Sequence, residues 1–206
     1  MNIPCKLCEK RRARRHCPGV EGEICAQCCG SARENTIDCP VSCEYLREAR
    51  FHEQPPAIPE DQVPNKDIRL SETFLREMEP LVYTLALALK RAIESGRAVD
   101  FDAREALDAE IRTYRTLQTG LIYETRPANP YAVAIQQKLR EAVEELRKEL
   151  AEQQGMHTLR DADVLGVLVF LQRLEMQYNN GRPRGRAFQD FLVGYLPEIP
   201  APTVLT

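Results

Sequence analysis

Residues 5–43 read CKLCEKRRARRHCPGVEGEICAQCCGSARENTIDCPVSC and hold all 8 cysteines of the 206-residue chain. By spacing the stretch is Cys5-x2-Cys8-x8-Cys17-x7-Cys25-x2-Cys28-Cys29-x9-Cys39-x3-Cys43. It contains two C-x2-C knuckles. In such a knuckle a tight turn lets both sulfurs reach one ion at about 2.3 Å, and two knuckles from different parts of the chain complete a tetrahedron. Cys5, Cys8, Cys25 and Cys28 are therefore the first candidate zinc site. Cys17, Cys29, Cys39 and Cys43 are again four and interleave with the first set, which predicts a cross-brace with two structural Zn2+ ions. Cys29 directly follows a ligand of the first site and must point elsewhere, so His16 stands as an alternative to it in the second site.

A segment this short and this poor in apolar residues cannot build a core of its own. Metal binding must supply its folding free energy, on the order of 10 kcal/mol per structural site. Eight cysteines would also permit a disulfide framework, which belongs to oxidising compartments. Met1 to Arg15 carries basic residues with no apolar run behind them, so no secretory signal is read and a cytoplasmic location is expected. No run approaches the roughly 18 apolar residues of a membrane span, and no membrane partner is expected.

Four domain segments follow: a zinc-binding Cys-rich module over 1–53, a Pro-rich linker over 54–69, a helical region over 70–196 and a loose tail over 197–206. Cys43 to Arg50 has helical character and closes the module. Pro55, Pro56, Pro59 and Pro64 make the linker extended and semi-rigid.

Beyond it, apolar residues recur with helical period. Phe74, Met78, Leu81, Leu85 and Leu89 form the first stripe, with Ser71 as N-cap and Gly96 as stop. Asp102 and Glu105 open the second, which carries Leu107, Ile111, Tyr114, Leu117 and Leu121. Asn129 caps and Pro130 starts the third, striped by Ile135, Leu139, Ala142, Leu146 and Leu150 until Gly155. Thr158 and Asp161 open the fourth, whose centre from Val164 to Leu171 is apolar nearly all round and therefore buried on several sides. Asn180-Gly181 ends it, and Phe188, Phe191, Leu192 and Tyr195 mark a short final piece. With no tryptophan and 6% aromatics, the fold class is mostly α: a small two-zinc cross-brace finger plus an antiparallel bundle of four long helices and one short one. If the bundle left one side of the fourth helix bare, a second copy of the chain would cover it, making a homodimer.

The net charge of −3 gives no bulk nucleic-acid signature. Two local clusters are basic, Lys10, Arg11, Arg12, Arg14 and Arg15 between the first knuckle and Cys17, and Arg182, Arg184 and Arg186 after the fourth helix. Either could bind anions such as phosphate. The plainer reading is that the first cluster donates hydrogen bonds to sulfur and the second suits a helix C-terminus. Tyr114, Tyr123, Glu124, Arg126 and Tyr131 could line a pocket, but bundle-end packing is the favoured reading, since a tyrosine buries its ring and keeps its hydroxyl wet. His16, His52 and His157 fit no zincin or di-iron pattern, and no nucleophile elbow or phosphate loop is present, so the enzyme reading is the minor one.

The order of the knuckles, the His16-Cys17-Pro18 step and the closing Cys39-x3-Cys43 resemble the cross-brace zinc fingers of the MYND, HIT and B-box type. Those fingers carry a paired ligand soon after the third and histidine near the end, where this chain has Cys39. The resemblance implies contact with a protein partner more than catalysis. Arg11 to Glu34 together with Gly181 to Arg186 make the chain similar to bacterial proteins that pair an N-terminal Cys-rich zinc finger with a helical region, a likeness that implies no particular function. Three functions are thus expected in order: a zinc-structured interaction protein, a nucleic-acid-binding regulator using the basic loops, and a thiol redox or metal sensor using vicinal Cys28 and Cys29.

Overall fold

The computed structural model of the protein describes residues 3–53, 57–154 and 159–196. Among these the N-terminal module consists of a hairpin, β1 (Arg15–Cys17) and β2 (Gly22–Ile24), followed by α1 (Ala26–Ala32) and α2 (Glu44–His52). The hairpin is antiparallel and pairs Arg15 with Ile24, His16 with Glu23 and Cys17 with Gly22. Its small interior is made of cysteines with Ile24, Ile37 and Leu46, all buried. Gly19 in the hairpin loop has no room for a side chain, since a Cβ there would sit 2.7 Å from Ile37 Cγ2 and closer still to the Asp38 carbonyl.

The helical region holds α3 (Glu72–Glu77), α4 (Glu79–Gly96), α5 (Asp100–Gln118), α6 (Pro130–Gln154), α7 (Asp161–Tyr178) and α8 (Ala187–Tyr195). Four are long, of 18 to 25 residues, and α8 has 9. α5 packs on α6 and α7, and α4 on α6, α7 and α8. α7 thus touches three helices, and Val164, Leu165, Val167, Leu168, Val169 and Leu171 are all buried within the one chain. Phe170 in the same stretch is half-buried. Gly166 within it seats Phe74 of α3, whose ring would lie 2.5 Å from an added Cβ.

Several boundaries differ from the sequence reading for local reasons. The first stripe is split at Met78, because Pro80 cannot supply the amide that a continuous helix needs. Ser71 caps the first piece as expected, its Oγ accepting from Phe74 N at 3.0 Å. The second helix begins at Asp100, two residues early, and Asp102 reaches back to accept from Val99 N at 2.8 Å. It stops at Gln118, with Gly120 left-handed at φ 78, so Leu121 lies outside the helix and is exposed. Asn129 caps α6 by accepting from Tyr131 N at 2.9 Å. Pro55, Pro56, Gly155, His157, Thr158 and the tail over 197–206 lie outside the described residues.

The later part of the proline-rich segment is strapped to the helical region. Arg173 Nη2 donates to the carbonyls of Asn65 and Ile68 at 2.8 and 3.0 Å, and Arg115 grips Asn65 Oδ1 and Asp67. Ile68 and Leu70 pack on the core. Among the described residues no helix is long and apolar enough to cross a membrane.

Candidate metal centre

The sulfurs of Cys5, Cys8, Cys25 and Cys28 all lie within 4.8 Å of one another. A tetrahedral zinc tetrathiolate has sulfurs ~3.8 Å apart, so the four need only a slight contraction to hold one ion. Local backbone geometry explains the gathering. The first knuckle is a turn closed by Glu9 N to Cys5 O at 2.8 Å, with Glu9 left-handed at φ 56. The second knuckle is the start of α1, with Cys25 as N-cap and its Sγ accepting from Cys28 N at 3.4 Å. Cys25 N also donates to Cys5 Sγ at 3.2 Å, tying one knuckle to the other.

Arg11 completes this site. Its Nη1 lies 3.9 Å from Cys8 Sγ and 3.8 Å from both Cys25 Sγ and Cys28 Sγ, covering one face of the sulfur cluster. The proton affinities of the thiols are split. Burial pushes Cys5 up, but the amides of Cys25, Cys8 and Leu7 outweigh it and bring the thiol down to about 6. Cys25 is lowered by the Cys28 amide against burial. Cys28 is pushed up to about 12, first by the neighbouring Cys25 side chain and then by burial. Four thiolates at this spacing repel, and a dication is the charge that lets all four ionise together.

Cys28 and Cys29 are consecutive on α1 and so point about 100° apart around the helix. Cys28 faces the first quartet, and Cys29 turns inward to the other side. There Cys17, Cys29, Cys39 and Cys43 border a small cavity of about 10 Å³ together with His16, Ile24, Tyr45 and Leu46; among the described residues their sulfurs are not drawn within 4.8 Å of one another as those of the first quartet are. Arg15 Nη1 donates to Cys29 Sγ at 3.5 Å, and its guanidinium lies 4.7 Å from the centre of the Tyr45 ring. Burial raises Cys39, with Cys17, Glu34 and Cys43 adding to the rise. His16 is placed with Nδ1 3.1 Å from Glu23, and its side chain is 68% exposed.

The two basic clusters divide by what they meet. Arg11, from an exposed position, and half-buried Arg15 face sulfur, whereas Lys10, Arg12 and Arg14 extend from the exposed surface. In the second cluster, Arg182 and Arg186 meet carboxylates of the N-terminal module. Arg182 Nη2 donates to Glu53 at 2.8 Å, and Arg186 pairs with Asp38 while its Nη1 donates to Cys39 O at 3.1 Å. Arg186 also reaches the carbonyls of Ala98 and Arg97 at 3.3 and 3.2 Å, so one guanidinium joins the cysteine loop to the α4–α5 turn. The Arg184 side chain is exposed.

At the centre of this junction is Glu34, 0% exposed and left-handed at φ 51. Its carboxylate accepts from Arg50 Nη2 at 2.5 Å, Asn180 Nδ2 at 2.8 Å and Arg186 N at 2.9 Å. Its carbonyl accepts from Arg184 N at 2.8 Å. Sequence reasoning passed over Glu34, since its partners lie up to 152 residues away and nothing near it has a recognisable spacing. The tyrosine group is not brought together. Tyr114 is buried in the core, where burial pushes its hydroxyl up to about 12, while Tyr123 and Tyr131 are exposed. Glu124 pairs with Arg126 at 2.8 Å and with Arg140.

No family model, curated protein or solved structure matches the chain.

Proposed function

We propose that the protein is a zinc-structured interaction protein, with one ion held by Cys5, Cys8, Cys25 and Cys28 and a second by Cys17, Cys29, Cys39 and Cys43. All-thiolate quartets suit zinc, and each thiolate-rich site is closed to further chemistry. Support for the second ion comes from the cavity of about 10 Å³ shared by its four cysteines, which matches the room one small ion or water needs. Both Cys29 and His16 border that cavity, but Cys29 is the better fourth ligand, because it is buried and receives the Arg15 guanidinium whereas His16 is 68% exposed with Nδ1 on Glu23. In this reading the vicinal Cys28 and Cys29 serve separate ions, which would leave a thiol sensor no spare sulfur.

The observation that carries the interaction role is Leu121, Ile122 and Tyr123, three consecutive large apolar residues exposed at 64%, 96% and 66% on the α5–α6 connection. Scattered exposed apolar residues are ordinary, but a contiguous run marks a surface that another protein covers. The nucleic-acid reading rests on fewer free cations, since Arg11, Arg15, Arg182 and Arg186 are engaged with sulfur or carboxylate of the same chain.

Affinity capture with the zinc-loaded full chain, compared with Ile122→Glu, tests the role. A protein retained by the parent and lost at least tenfold with the variant, at unchanged zinc content and melting temperature, is the expected result. Recovery of RNA or DNA instead, or equal protein recovery with Ile122→Glu, overturns it.

A further inference from the structure

A cavity of about 500 Å³ opens where the Asp38 loop, the α4–α5 turn, the start of α6 and the loop before α8 meet. Its charged lining is Arg97, Arg184 and Arg186 against Asp38 and Asp102. Both acids are engaged. Asp38 pairs with Arg186, and Asp102 accepts from Val99 N at 2.8 Å and from Asn129 Nδ2. Arg97 and Arg184, by contrast, are exposed and have no acidic partner among the described residues, which leaves an excess positive charge facing the cavity.

Both guanidiniums are carried on fixed backbone. Arg97 is left-handed at φ 57, a conformation that favours glycine, and its carbonyl is held by Arg186 Nη2 at 3.2 Å. Arg184 N donates to Glu34 O at 2.8 Å. The 25-residue α6 begins at the same cavity and adds the positive end of its dipole. Tyr131, half exposed at 51%, offers a ring on the cavity wall beside these charges.

We propose that this cavity binds a nucleotide, with Arg97 and Arg184 gripping its phosphates and Tyr131 stacking on its base. Guanidinium forks match phosphate oxygens in pairs, and a tyrosine ring accepts any base. The site is a shallow groove open to solvent, with about 500 Å³ of room for the ligand. The inference is independent of the protein-docking surface at Leu121 to Tyr123.

Isothermal titration of the zinc-loaded full chain with ADP and with pyrophosphate tests it. Saturable one-to-one binding of ADP is expected, weakened about tenfold by Arg97→Gly and by Arg184→Gln, which corresponds to about 1.4 kcal/mol for each lost fork. Arg97→Gly suits the left-handed backbone, and Arg184→Gln keeps the amide that Glu34 binds, so melting temperature and zinc content should hold. Tyr131→Ala should weaken ADP about tenfold and leave pyrophosphate unchanged. ADP that fails to saturate, or that binds all three variants as it binds the parent, overturns the proposal. So does binding abolished by alanine at Lys10, Arg12 and Arg14 but untouched at Arg97. ADP binding that Tyr131→Ala does not move removes the nucleotide assignment.

Discussion

Replacing Glu34 by Gln tests whether the cysteine module and the helical region form one body. The substitution keeps the volume and the φ of 51, and it removes one charge from a fully buried position. Oε1 still accepts from Arg50 and Arg186 N, but an amide NH2 replaces Oε2 and faces the Asn180 and Arg182 donors. Arg50 is the group most exposed to the loss in energy, because its own side chain is only 10% accessible. Breaking one partner of a buried pair costs about 3–5 kcal/mol, and Asp190, 3.1 Å from Arg50 Nη1, retains part of the compensation. The expected loss is therefore at the lower end, about 3 kcal/mol. Urea unfolding of the zinc-loaded chain, followed by helical circular dichroism, reads it directly. The double variant Glu34→Gln with Arg50→Met removes both charges and should recover at least half of that loss, since deleting a whole buried pair is far milder than orphaning one member. A single-variant cost below ~1 kcal/mol, or a double variant worse than the two singles added, would refute the junction.

Two further outcomes are expected. Mass-spectrometric metal analysis should find two zinc ions per chain, falling to one in Cys25→Ser and to one in Cys39→Ser; a parent holding a single ion rejects the second quartet. Asp100, which accepts from Phe188 N and Gln189 N at 3.0 and 3.2 Å, has its carboxyl pushed up to about 7 by burial, with Glu175 adding to the rise and Arg50 opposing it. A carboxyl whose folded pKa exceeds its unfolded one binds its proton more tightly in the folded state, so this group makes stability fall as pH rises from about 4 to about 7. Asp100→Asn should flatten that fall, by at most about 4 kcal/mol over the interval, and an unchanged pH profile in chemical unfolding rejects the assignment.

The sequence was legible where one local rule governs and obscure where distant groups decide. Four sulfurs at knuckle spacing need only a turn and a helix start, and both are written into residues 5–28, so the first quartet could be read directly. The apolar centre of α7 was equally readable, because a helix without a polar face has to be enclosed. Met78 was harder, since its apolar stripe continues across the break and only Pro80 marks it. The basic loop after α7 was ambiguous in principle. Arg182 and Arg186 have the same chemistry whether they meet a phosphate from outside or a carboxylate from the same chain, and the acids they meet, Glu34, Asp38 and Glu53, lie 129 to 152 residues away. What sets Arg184 and Arg97 apart from them is therefore not residue type but the count of acids at the junction: Glu34, Asp38 and Glu53 are used up by Arg50, Arg182 and Arg186, and the two remaining guanidiniums are left facing the open cavity.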